Sequence, residues 1–138
     1  MNKITAKEIA PIILRIGIAL VFLWFGSQQL LNTGMWLKLI PEWILSMSGL
    51  AAATIVHFNG AFELVFGIAL LIGFQSRIAA TLLGLHLISI TLDVGYGAVG
   101  VRDFGLCMAT IALAFYGATR LSIDAWCTKK DMPTVANS

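Results

Sequence analysis

His57 to Phe74 reads HFNGAFELVFGIALLIGF. It is apolar enough and long enough to cross a bilayer, for which roughly 20 mostly apolar residues suffice. Yet it holds a carboxylate, Glu63, near its centre, where an ionised group is costly and usually functional. Two questions follow: whether the rest of the chain is also built for lipid, and what neutralises that group.

The composition settles the first. Of 138 residues, 59% are hydrophobic and 12% charged, against about 25% charged in an ordinary soluble domain. A single domain of this size buries too small a fraction of its surface to hide so much apolar area in water. The expected fold class is therefore all-α, an integral membrane four-helix bundle. Backbone groups in lipid must be satisfied within each segment, and helices do this without closing a barrel. The four expected spans are residues 9–31, 54–73, 76–93 and 102–120, in a transmembrane domain over residues 1–127 with a polar tail at 128–138. The turn Gly73-Phe-Gln-Ser76 and the glycine-rich Gly95-Tyr-Gly-Ala-Val-Gly100 separate the last three.

Between the first two spans lies MWLKLIPEWILSMSGL, Met35–Leu50, which Pro41 breaks. Trp36 and Trp43 suit a membrane interface, since an indole joins an apolar body to a polar N–H. The segment is expected to lie over one end of the bundle. Arg15 interrupts the first apolar run and no small-residue cleavage site follows, so the first helix is read as retained and not as a signal peptide.

Orientation follows from the basic residues. With both termini cytoplasmic, the inner side holds Lys3, Lys7, Arg77, Arg120, Lys129 and Lys130, and the outer side only Lys38 and Arg102. That asymmetry follows the positive-inside rule. Cys107 and Cys127 then fall at opposite ends of a helix about 30 Å long, too far apart for a disulfide within one chain. The net charge of +2 gives no reason to expect nucleic acid as a partner.

Counted from the helix ends, Glu63 and His86 both fall near the midplane. Helical spacing puts Asn59, Gly60, Glu63 and Gly67 on one face, and His86, Ser89 and Asp93 on another that runs outward. Arg15, Phe22, Gly26 and Gln29 share a face of the first helix, and Asp103, Cys107 and Thr110 one of the last. If all point inward, they line a polar pocket open toward the outer leaflet. Glu63 and His86 are the candidate catalytic pair, a carboxyl beside an imidazole being suited to acid–base work. Each has a plainer reading: Glu63 as a hydrogen-bonded interhelical tie, His86 as a satisfied interhelical donor, and Gly60 and Gly67 as packing glycines. Arg15 can snorkel or reach toward Glu63. His57 lies about 9 Å of helical rise from Glu63, too far in depth to pair with His86 on a haem, so neither haem nor metal is expected.

Asn59-Gly-Ala-Phe-Glu63-Leu-Val-Phe-Gly67, followed by Gly73 and Arg77-Ile-Ala-Ala80, resembles the signature block of the DoxX family of small four-helix bacterial membrane proteins. Leu14-Arg15 is similar to the start of that family's first helix. Gly26-Ser-Gln-Gln29 has glutamine where the family commonly has lysine. Arg102-Asp103 and Gly117-Ala-Thr-Arg120-Leu-Ser-Ile-Asp124 resemble the ends of its last helix, without the usual proline. The resemblance implies a subunit, in the bacterial inner membrane and among its lipids, of a respiratory or thiol/sulfur oxidoreductase complex; the sequence holds no electron-carrier motif, so a redox-active protein partner is expected, and a homo-oligomer goes with the carrier alternative below. It also implies a quinone as cofactor, with Asn59, Gly60, Gly67, Arg15, Arg102 and Asp103 as candidate binding residues around Glu63 and His86. A proton-coupled carrier working through Glu63, or a scaffold without chemistry of its own, are the alternatives.

Overall fold

Thr5 starts the first helix: its backbone N–H donates to the Glu8 carboxylate at 2.8 Å, the second half of a capping box. The computed structural model describes residues 5–130. The helices are α1 (Ala6–Leu31), α2 (Glu42–Ser48), α3 (Ala52–Ile72), α4 (Ser76–Val94), α5 (Ala98–Tyr116) and α6 (Ile123–Lys130). Four of them, α1, α3, α4 and α5, are long and apolar enough to cross a membrane. The fold is an all-helical bundle, with α1 packed most closely on α3, α4 on α5, and α3 beside α4. Large apolar side chains such as Phe115 (82% exposed) and Phe58 (75% exposed) point outward all around it, as lipid-facing surface requires. The four spans place the start of α1 and the end of α5 at one end of the bundle, the terminal end. Residues 32–51 and 95–97 lie at the other, the loop end.

Two boundaries differ from the sequence expectation. The last span runs from Ala98 to Tyr116, four residues earlier than expected, because Gly117 takes a left-handed φ of 82° and stops the helix. Residues 117–122 then form a link to the short α6, which extends three residues into the stretch expected as tail. The remainder of that tail, like Lys3, lies outside the described residues. Met35–Leu50 resolves into two 3-10 turns (Thr33–Met35 and Leu37–Leu39) and the seven-residue α2, which Pro41 precedes and Gly49 ends.

Glycine sets how close α1 and α3 come. A Cβ on Gly26 would stand 2.8 Å from the Gly60 carbonyl oxygen, and one on Gly60 would stand 2.9 Å from the Gly26 carbonyl. Neither position has room for a methyl group, since the obstacle is backbone. Gly67, two turns from Gly60, faces Leu23 at 3.2 Å in the same sense. Small residues that let backbones approach are a common means of helix association in lipid, where no hydrophobic driving force acts between helices.

The terminal end is closed by a charged clasp. The α3 C-terminus is a Schellman turn, with Phe74 N–H donating to the Ala69 carbonyl at 2.8 Å and Gly73 N–H to Leu70 at 3.2 Å. Arg15, 3% exposed, donates through Nη1 to the carbonyls of Leu70 (2.8 Å) and Leu71 (2.5 Å), and through Nη2 to that of Leu121 (2.6 Å). It thus puts a cation on the negative end of the α3 dipole. Asp124 does the converse for α4: its carboxylate accepts the N–H groups of Gln75 (2.7 Å) and Ser76 (2.8 Å), and its own N–H donates to Gly73 (3.0 Å). Burial alone would raise the Asp124 carboxyl. The Ser76 and Gln75 N–H groups and the nearby Arg15 charge outweigh it and hold that carboxyl below its usual range. Arg120 adds a bridge from the 117–122 link to Glu8 of α1, 3.0 Å long.

Two outcomes test this packing. Gly26→Ala should destabilise the bundle by about 1–3 kcal/mol, the usual cost of overpacking, whereas Gly17→Ala, with nothing within 4 Å of the added carbon, should be neutral; thermal unfolding in detergent compares them. Asp124→Asn should cost about 1 kcal/mol at neutral pH, as loss of a helix cap does. A lowered carboxyl stabilises the fold above its unfolded value and loses that effect as pH falls through the folded one. The melting-temperature gap between wild type and variant should therefore hold from neutral pH down to about 4 and close below it.

Candidate functional site

Glu63 is 3% exposed and does not face lipid. Its Oε2 accepts Nε2 of Gln29 on α1 at 2.9 Å, and its Oε1 accepts Nδ2 of Asn59, one turn earlier on α3, at 3.3 Å. The same Asn59 amide donates to Oε1 of Gln29 at 2.6 Å, so the three side chains close a ring of hydrogen bonds. The sequence places them to do so: Asn59 and Glu63 are one turn apart on α3, and the Gly26–Gly60 contact brings Gln29 across to meet them.

His86 comes from α4. Its Nε2 stands 3.4 Å from Glu63 Oε1, within ion-pair distance but not aligned as a hydrogen bond, and that buried nitrogen has no hydrogen-bond partner among the described residues. The imidazole lies against Phe62, with ring centroids 4.9 Å apart. Among the described residues, the one ion-pair contact of Glu63 is this one.

Glu63 and His86 border a cavity of about 430 Å³ that extends to the loop end of the bundle. Most of its wall is apolar, with Ile18 and Phe22 of α1, Val56 of α3, Ile90 of α4 and Leu106 of α5. Trp36, Pro41 and Ile44 of the segment between α1 and α3 line it too, so that segment covers this end. Ser89 and Asp93, one and two turns beyond His86 on α4, carry the polar edge outward. At the mouth Arg102 Nε and Nη2 each donate to Oδ1 of the buried Asp103 at 2.8 Å. The Arg102 guanidinium also lies 5.3 Å from the Phe25 ring centroid, a cation–π contact.

Of the residues singled out from sequence, the cavity brings together Glu63, His86, Asn59, Arg102 and Asp103. It does not include Arg15, Gly60 or Gly67. Arg15 is committed to carbonyls at the terminal end, about 10 Å of helical rise from Glu63 along α3, so it does not reach the carboxylate. Gly60 and Gly67 are contacts with α1. Gln29, which the sequence places on an inward face but not among the candidate binding residues, is the nearest donor to Glu63. Its helical register with Gly26 is the signal, because whichever helix packs on that glycine meets Gln29 one turn later. No group of three or more His, Cys, Asp or Glu among the described residues could hold a metal ion.

The ring around Glu63 makes a stability prediction. Gln29→Leu should leave the carboxylate short of its nearest donor and cost about 1–3 kcal/mol, the penalty for an unsatisfied buried group. Gln29→Leu combined with Glu63→Leu should recover most of that loss. A double-mutant cycle by thermal unfolding measures the coupling.

The family model described as DoxX matches residues 10–96, from α1 through α4. Gln29, Asn59, Glu63 and His86 fall within the match; Arg102, Asp103 and the 117–124 segment lie beyond it. No curated protein and no solved structure matches the chain.

Proposed function

The chain belongs to the DoxX family, and on that premise we propose that it is a membrane subunit of an oxidoreductase assembly whose cavity takes the head of a quinone. One observation carries the reading: an apolar cavity of about 430 Å³ ends, deep in the bundle, at a carboxyl and an imidazole 3.4 Å apart. Small-molecule sites are typically concave and apolar, with a few placed polar groups. The residues fit the group. Phe22, Ile90 and Leu106 offer the apolar contact a flat ring needs, and the His86 imidazole borders the same space.

When bound, a quinone supplies electron transfer coupled to proton uptake and release. The chain's own residues hold and move the proton. Gln29 and Asn59 fix the Glu63 carboxylate through three donated hydrogen bonds around the ring, so it cannot swing away from His86. Gln29 is neutral, so among the described residues His86 is the one titratable side chain within ion-pair distance of Glu63, and a proton can pass between the two. Ser89 and Asp93 continue along the same edge toward the loop end, a route for that proton to leave. Electrons come from a redox-active partner. Apolar helix faces that point outward all round suit an anchoring subunit.

The test is purification from native membranes in a mild detergent, with mass spectrometry of co-purifying proteins and lipophilic molecules. A quinone near one per chain together with a redox protein is the expected outcome. Glu63→Gln should weaken quinone retention by about tenfold, because it removes the charge that stands 3.4 Å from the His86 ring nitrogen at the end of the cavity. A chain recovered without quinone would sink the reading and leave a proton-coupled carrier as the next to assay.

A further inference from the structure

Arg77 is a cation in an unfavourable place. It is the second residue of α4, where a positive charge adds to the positive end of the helix dipole. Arg102 pairs with Asp103 and Arg120 with Glu8, but no ion pair among the described residues includes Arg77, and its guanidinium donates no hydrogen bond among them. The side chain is nonetheless seated. A Cβ on Gly117 would collide with Arg77 Nε and stand 3.1 Å from Cζ and Nη2, so the guanidinium lies against bare backbone at the end of α5.

Arg77 borders a shallow hollow of about 450 Å³, together with Gln75, Ile78, Ala118 and Asp124. Asp124 does not neutralise it. Both carboxylate oxygens accept N–H groups at the start of α4, and the cation that acts on Asp124 is Arg15. One positive charge is therefore left over on the wall of the hollow. Arg77 also stands where a span begins, at the depth of lipid headgroups. Beside it, Ile78 and, two turns on, Leu85 are half exposed on one side of α4. An arginine near a helix end lays its stem along apolar surface and carries its head to that depth, where lipid phosphates are the anions it meets.

We propose that this hollow is a lipid-headgroup site: Arg77 holds the phosphate of a phospholipid, and the acyl chains lie along Ile78 and Leu85. The guanidinium fork matches a phosphate in geometry as well as in charge. A bound phosphate gives the start of α4 the negative charge that its dipole favours. Gly117 belongs to the site, because any side chain there would displace the guanidinium. The site lies apart from the cavity that ends at Glu63 and does not rest on the quinone reading.

The test uses the full-length protein in detergent micelles and native mass spectrometry to read what stays bound. The probes are dioleoylphosphatidylglycerol, dioleoylglycerol, which has the same chains and no phosphate, and inorganic phosphate. Wild type should retain the phospholipid about tenfold better than dioleoylglycerol, the worth of a hydrogen bond between charged groups. Arg77→Gln should lose that advantage, while Lys7→Gln, which removes an exposed cation from the same end, should keep it. The phospholipid should also raise the melting temperature of wild type and leave that of Arg77→Gln where it was. Equal retention of the two lipids by wild type would overturn the site without recourse to any variant. So would equal losses in Arg77→Gln and Lys7→Gln, the mark of a diffuse charge effect. Displacement of the phospholipid by excess inorganic phosphate would overturn it too, by assigning the hollow to the free ion.

Discussion

A carboxylate two turns or more from either end of a spanning helix must find its hydrogen bonds inside the protein, because lipid offers none. That constraint on Glu63 organises the middle of the bundle. The carboxylate needs donors from another helix at close range, and Gln29 can be that donor only because Gly26 and Gly60 bring α1 and α3 almost backbone to backbone. The glycines and the polar ring are therefore one device. Any side chain at either glycine would separate the helices and take Gln29 away from Glu63, so packing and polar satisfaction stand or fall together.

The two ends of the bundle are built differently. At the terminal end four charged groups are consumed by structure: Arg15 finishes the α3 C-terminus, Asp124 caps the α4 N-terminus, and Arg120 joins Glu8. Each complements a helix dipole or an opposite charge, and the short link after Gly117 threads between them. At the loop end the polar groups line a space instead of closing it. The covering segment there is made of short 3-10 turns and one short helix.

Much of this was legible in the residues. The four spans followed from apolar length, and the shared depth of Glu63 and His86 followed from counting along helices. Their proximity, 3.4 Å, is what two groups at one depth on neighbouring helices can reach. Arg15 was harder. From sequence it is a cation about one turn inside the end of a span, able to snorkel or to reach across depth toward Glu63, and nothing in it points to the end of α3. Its choice depends on where α3 ends in space. Gly60 and Gly67 share a helical face with Glu63, but that face is wide enough to touch both α1 and the cavity. Spacing alone does not say which residue on it meets which neighbour.

The sequence by itself determined that this is an all-helical membrane protein, where its four spans run to within a few residues, and that Glu63 and His86 share one depth along their helices. Those properties depend on local composition and on the fixed rise and turn of a helix. The tertiary structure decided what each polar group is bonded to: Glu63 to Gln29, Arg15 to the end of α3, Asp124 to the start of α4. A hydrogen bond depends on a distance of about 3 Å between atoms that lie tens of residues apart in the chain. Only the packing of one helix on another sets that distance.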